Sequence, residues 1–246
     1  MDWVYLSIVT LLAATIQSAT GFGFGLIAVP VFLLILNSAD AIQIIMIIVL
    51  FMSIADWMKL RGLGSRHLLL WLVVGMVLGF PFGIYIFLSF ELQLIKIMLA
   101  LIIIIFSVYN LIRLVRKGST GPAQSPGKNR WPVALTGYFA GMLSASMAMP
   151  GPPVMLYLVH KGFDKTMIRA TILTFFIFAY SGSVLLQFMI IGISSTTWTT
   201  SLTLVPVGLV GVLCGHGIAH RINQKLFRII VLNILILMAL VMLSQL

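Results

Sequence analysis

Acidic side chains are scarce: there are five Asp and Glu in 246 residues, against fifteen Lys and Arg. Charged residues of both signs make up 8% of the chain, about a third of the share in an ordinary soluble domain. So few charges cannot coat a globule of this length, which excludes a soluble fold. Cysteine is almost absent. Cys214 stands alone, which excludes an intrachain disulfide and a cysteine-based metal cluster. Polar stretches are equally rare, the only one of any length being KGSTGPAQSPGKNR over residues 117–130. The basic residues sit in short clusters between apolar runs rather than along one face, a pattern of membrane topology and not of nucleic-acid binding.

What is present is apolar sequence, 61% of the chain. Six segments reach the roughly 20 residues that a helix needs to cross a bilayer: 41–58, 67–89, 92–112, 167–191, 198–219 and 225–243. Two further regions are interrupted. Residues 3–20 lead into Gly21-Phe22-Gly23-Phe24-Gly25 and a short arm ending near Leu36, and residues 132–149 lead into Pro150-Gly151-Pro152-Pro153 and a short arm ending near His160. Glycine and proline inside apolar sequence break helices. The start, Met1-Asp2-Trp3, is acidic where a signal peptide is basic, so the first helix is expected to be retained.

Fourteen of the fifteen Lys and Arg fall into four clusters around residues 59–66, 113–130, 161–169 and 221–228; Lys96 is the exception. Placing all four in the cytoplasm requires each interrupted region to enter and leave on one side, the first from outside and the second from the cytoplasm. Both termini then lie outside, and the second half is upside down relative to the first. A shift of 126 residues lays Ser18-Ala19-Thr20 over Ser144-Ala145-Ser146 and Gly25 over Gly151, and a shift of 132 lays Gly79 and Gly83 over Gly211 and Gly215, and Lys96 over Arg228. The expected fold is an all-α polytopic membrane protein with two inverted-topology repeats. Each is a broken, re-entrant hairpin followed by three transmembrane helices, eight to ten membrane helices in total. The repeats occupy residues 1–116 and 131–246, joined by a cytoplasmic linker over 117–130.

Backbone groups freed by a break in lipid persist only where protein or a water-filled cavity satisfies them, so the breaks mark an interior. Paired breaks in inverted halves point to a transporter's binding site, and helix N-termini there favour an anion. The candidate binding residues are Ser18, Thr20, Gly21, Phe22, Gly23 and Gly25 from the first break, and Ser144, Ser146, Met149, Gly151 and Pro152 from the second. Membrane hydroxyls commonly bond back to their own helix instead. Lys96 and Arg228 fit either anion attraction at the mouths of a pathway or snorkelling to an interface. His216 and His220 stand four apart without a third metal ligand. Asp56 with Lys59 reads as an interfacial pair. Asp40, Glu91 and Asp164 fall at helix ends, so a carboxylate proton relay has no obvious members. The membrane potential can then drive export of a monoanion, at roughly 2.3 kcal/mol per 100 mV, with His216 or protonation of the substrate as proton routes left open.

The runs ATGFGFGLIAVPVFLL (residues 19–34) and GMLSASMAMPGPPVMLYLVHKG (141–162), with Arg169-Ala170-Thr171 after them, make the chain resemble the TauE/SafE family of membrane permeases, the sulfite exporters. The resemblance covers nearly the whole chain. It implies a multi-pass protein of the cell (inner) membrane, partnered by the lipid bilayer, that exports sulfite or a small organosulfonate, with no cofactor and no enzymatic activity. It also tilts Arg169 towards function. Other readings are the same fold carrying another anion, or a metal ion through His216 and His220; an anion channel; and an intramembrane enzyme using Ser144 or Ser146, for which no Gly-x-Ser-x-Gly elbow is present.

Overall fold

A computed structural model describes residues 2–60, 64–115, 130–218 and 224–244. Among them are ten helices: α1 (Asp2–Thr20), α2 (Phe24–Leu36), α3 (Asp40–Leu60), α4 (Arg66–Ser89), α5 (Leu92–Val115), α6 (Trp131–Met147), α7 (Gly151–His160), α8 (Lys165–Ile190), α9 (Ser195–Ile218) and α10 (Gln224–Ser244). The linker over 117–130 lies outside the described residues except for Arg130, as does His220.

Helix ends follow local chemistry. Asp164 accepts a hydrogen bond from the Met167 backbone N–H and starts α8, and Ser65 does the same for Leu68 at the start of α4, each satisfying a donor that the first turn leaves free. Ser194 Oγ takes the Thr197 N–H, which lets α9 begin three residues earlier than its apolar run. Both interruptions are real. α1 ends at Thr20 and α2 restarts at Phe24, with Gly21 (φ 90°) and Gly23 (φ 114°) between them; α6 ends at Met147, and Ala148 turns the chain in the left-handed region at φ 54°.

Six helices carry stretches long and apolar enough to span a membrane: Trp3–Thr20, Asp40–Met58, Arg66–Ser89, Leu92–Ile112, Thr166–Ile190 and Ser195–Gly217. Five of these match the expected spans. The sixth differs: α1 qualifies because it runs unbroken to Thr20, whereas the described apolar part of α10 is the shorter Val231–Ser244. The chain is a multi-pass membrane protein.

α3 is the centre of the bundle. Ile42, Ile45, Met46, Ile48, Val49 and Met52 have no exposure, as expected of a helix that is apolar on every side. α2 is nearly as enclosed, Phe24 through Pro30 being buried. Large apolar side chains face outward on the other helices, among them Leu78, Tyr85, Ile105, Met189, Leu213 and Leu237, a surface suited to lipid. Glycines bring backbones together in two places. A Cβ at Gly75, Gly79 or Gly83 of α4 would strike the carbonyls of Ala134, Tyr138 or Met142 on α6, and one at Gly211 or Gly215 of α9 would strike those of Leu11 or Thr15 on α1. Such contact replaces the hydrophobic drive that lipid removes.

Candidate substrate site between two helix breaks

The breaks meet. A Cβ on Gly25 would lie 2.7 Å from the Ala148 carbonyl oxygen and 3.2 Å from Met149 Cγ; one on Gly151 would lie 3.2 Å from Phe176 Cζ and 3.8 Å from Phe22 Cβ. Glycine is therefore required at Gly25 for close approach to backbone. Between the breaks is a cavity of about 10 Å³ lined by Gln17, Phe22, Gly23, Gly25, Leu26, Met149, Gly151, Pro152, Phe176 and Tyr180. That is room for one water, so the site is closed tightly over itself.

α8 runs past both breaks. Arg169, the fifth residue of α8, packs its stem on Gly21. Seven residues later, about 10 Å by helical rise, Phe176 meets Gly151, and one turn beyond, Tyr180 O–H donates to the Ala148 carbonyl at 2.9 Å. Tyr180 thus takes up an acceptor that the left-handed turn exposes.

The lining carries no charged side chain. Its polar content is the α2 and α7 N-termini, neither capped by a side chain, and the amide of Gln17. α2 offers the first-turn N–H groups of Phe24, Gly25 and Leu26. α7 offers fewer, because Pro150, Pro152 and Pro153 have no N–H, leaving Gly151 and Val154. Gln17 is 1% exposed, and neither its amide nitrogen nor its oxygen has a hydrogen-bond partner. An unsatisfied buried amide costs about 1–3 kcal/mol per group, a cost that a bound polar guest would remove.

The family profile of the Sulfite exporter TauE/SafE matches residues 6–242. The chain belongs to the TauE/SafE family. No curated protein and no solved structure matches it. Membership agrees with the resemblance carried by the two broken runs, and a transporter family is a setting for a carrier rather than an enzyme.

In this TauE/SafE protein the breaks bring Phe22, Gly23, Gly25, Met149, Gly151 and Pro152 to one cavity. The four hydroxyls expected beside them are engaged elsewhere. Thr20 Oγ1 donates within its own segment, where the Ile16 and Phe22 carbonyls lie at 2.8 and 2.6 Å. Ser146 donates to Met142 O. Ser144 pairs with Ser183 Oγ at 2.8 Å, and Ser18 faces α3 and α9. Among the described residues neither Ser144 nor Ser146 is hydrogen-bonded to a histidine. Lys96 Nζ donates to Asn37 Oδ1 at 2.8 Å, tying the start of α5 to the end of α2; the Arg228 side chain lies outside those described.

Asp56, expected to pair with Lys59 at an interface, is enclosed by protein. It has no exposure, and Ser18 Oγ donates to its Oδ1 at 3.0 Å. His216 Nε2 lies 3.4 Å and Arg169 Nη2 4.0 Å from that same oxygen. The side chain of Lys59 is outside those described. On α3 the exposed positions around Asp56 are apolar, Phe51, Ile54 and Met58, while Asp56 lies on the buried side with Met52 and Ser53. Gln17, an amide inside the run LLAATIQSATG, was the signal for the cavity.

Proposed function

We propose that the protein is a secondary transporter that exports sulfite or a small organosulfonate, held between the two breaks and exposed to each side in turn. The observation that carries this reading is Gln17, whose buried, unpartnered amide lines the cavity together with two helix N-termini. The amide N–H₂ donates to the anion's oxygens, and the α2 amides and helix dipole add positive potential. The cavity must open to admit a four-atom anion, so the arrangement fits the occluded stage of an alternating-access cycle.

Two inverted repeats are the architecture that such a cycle uses, and the local geometry supports them at an offset of 127 residues in the broken helices rather than 126. Gly21 N–H donates to Gln17 O and Ala148 N–H to Ser144 O; Gly21 and Ala148 both have positive φ; α2 and α7 start at Phe24 and Gly151. With α4 and α9 offset by 132, Gly79 against Tyr138 and Met142 corresponds to Gly211 against Leu11 and Thr15. In this reading each hairpin is re-entrant, both termini face outside and the linker is cytoplasmic.

The test is calorimetry of the purified protein with sulfite, sulfate, taurine and a dicarboxylate. Selective sulfite binding that Gln17→Leu weakens at least tenfold supports the proposal. Binding of a different anion keeps the site and changes the substrate. Unaltered sulfite binding in Gln17→Leu overturns the site.

A further inference from the structure

Four polar side chains from four helices converge behind the first break, two from each half of the chain: Ser18 (α1), Asp56 (α3), Arg169 (α8) and His216 (α9). His216 Nδ1 lies 2.8 Å from the Val212 carbonyl and 2.9 Å from Ser18 Oγ. A carbonyl only accepts, so Nδ1 carries the ring proton in the neutral imidazole and Nε2 holds a lone pair. That lone pair faces Arg169 Nη2, which donates to it across 3.2 Å, and it also faces Asp56 Oδ1 at 3.4 Å. Nε2 and Oδ1 are two acceptors pointed at each other, a gap shaped for one more proton.

The charge count gives that proton a consequence. A proton between Nε2 and Oδ1 adds one positive charge beside Arg169 and converts Nε2 from an acceptor for Arg169 into a donor to Asp56. The guanidinium then loses its imidazole partner, while its Nε is already buried without one. Its stem lies on Gly21, two residues from Gly23 in the cavity lining. The ion pairs seen at Asp56 among the described side chains are those with Arg169 and His216. α1 contributes only Ser18, α2 has no charged residue, and on α9 Cys214 is exposed.

Under the offsets proposed above, Ser18 and His216 correspond to Ala145 and Ile84, both uncharged.

We infer that Asp56 and His216 form a proton-binding site whose occupancy frees Arg169 for the anion, so that anion and proton bind together. The inference rests on the proposed anion site. In the step, one proton from water enters the Nε2···Oδ1 gap, Arg169 exchanges His216 for the anion, and no covalent bond to carbon changes. By linkage, protons favour the anion and the anion favours protons by the same factor.

Methanesulfonate is the probe, because its charge is constant where sulfite titrates. Calorimetry in buffers of different ionisation enthalpy counts protons taken up per anion. Infrared difference spectra between pH 8 and 5 report the proton on the pair with no anion present. The expected result is uptake approaching one proton per anion in the wild type, with affinity rising up to about tenfold per pH unit lowered where the pair titrates. Asp56→Asn and His216→Gln are expected to bind with an affinity independent of pH and to lose the infrared signal. Two variants are used so that a folding failure of one does not decide the matter. Wild-type binding without proton uptake, or uptake that persists in either variant, overturns the inference, as does absence of the infrared signal from the wild type. An intact infrared signal with no binding of any anion overturns the anion site and leaves the proton site standing.

Discussion

Gln17 is the residue whose chemistry is least satisfied. Replacing it with leucine keeps the bulk and removes two buried atoms that lack partners, so Gln17→Leu is predicted to raise thermal stability, by up to about 1–3 kcal/mol, while weakening anion binding. A melting curve beside the binding isotherm checks both signs. The two cavity glycines are predicted to differ. Gly25→Ala meets backbone at 2.7 Å, whereas Gly151→Ala meets only the edge of the Phe176 ring at 3.2 Å, so the first lowers the melting temperature more than the second, and both reduce binding by filling the cavity. Of the residue-scale features, the glycines and Met149 were legible in the sequence because breaks in apolar helices are conspicuous. Tyr180 and Phe176 were not, since an aromatic residue in a membrane helix is by default lipid-facing or core.

At the scale of elements, the glycine faces of α4 and α9 decide whether the helices assemble. Gly79→Val drives a side chain into the Tyr138 backbone and is predicted to abolish the monodisperse peak in size-exclusion chromatography. Gly217→Ala, with nothing within 4 Å, is predicted to leave that peak and the melting temperature unchanged. Helix boundaries were readable to within a few residues: Pro and Gly mark the breaks, and Asp164 and Ser65 mark two starts. Depth was not readable. That Arg169 sits beside Gly21 and Phe176 beside Gly151 depends on how α8 is laid across both breaks, and no local pattern along α8 encodes the partner of each turn.

For the whole molecule, the arrangement of basic clusters makes a directional prediction. In a Cys214→Ser background, a cysteine placed at Ser38 is expected to react with a membrane-impermeant maleimide added to intact cells, and one at Ser125 only after permeabilisation. The reverse pattern would invert the orientation, and labelling of both from outside would break the re-entrant topology. The bilayer setting and the family were legible from composition and from two runs of sequence. The polar interior was not, because its members come from four helices spread over residues 18–216 and no sequence spacing links them.

The short arms α2 and α7 have a mechanical consequence. α2 is bounded by Gly23 at φ 114° and Asn37 at φ 44°, and α7 lies between Ala148 at φ 54° and Gly162 at φ 74°. Each is a short rod with a joint at both ends, and Pro30, which has no N–H to donate, leaves one gap in the hydrogen-bond ladder of α2. Such a rod can tilt by changing a few dihedral angles at its joints, without unwinding a turn and without stretching the long helices around it. In the proposed transport cycle, most of the bundle would then serve as a stationary frame, and opening to one side or the other would fall to the 13 residues of α2 and the 10 of α7.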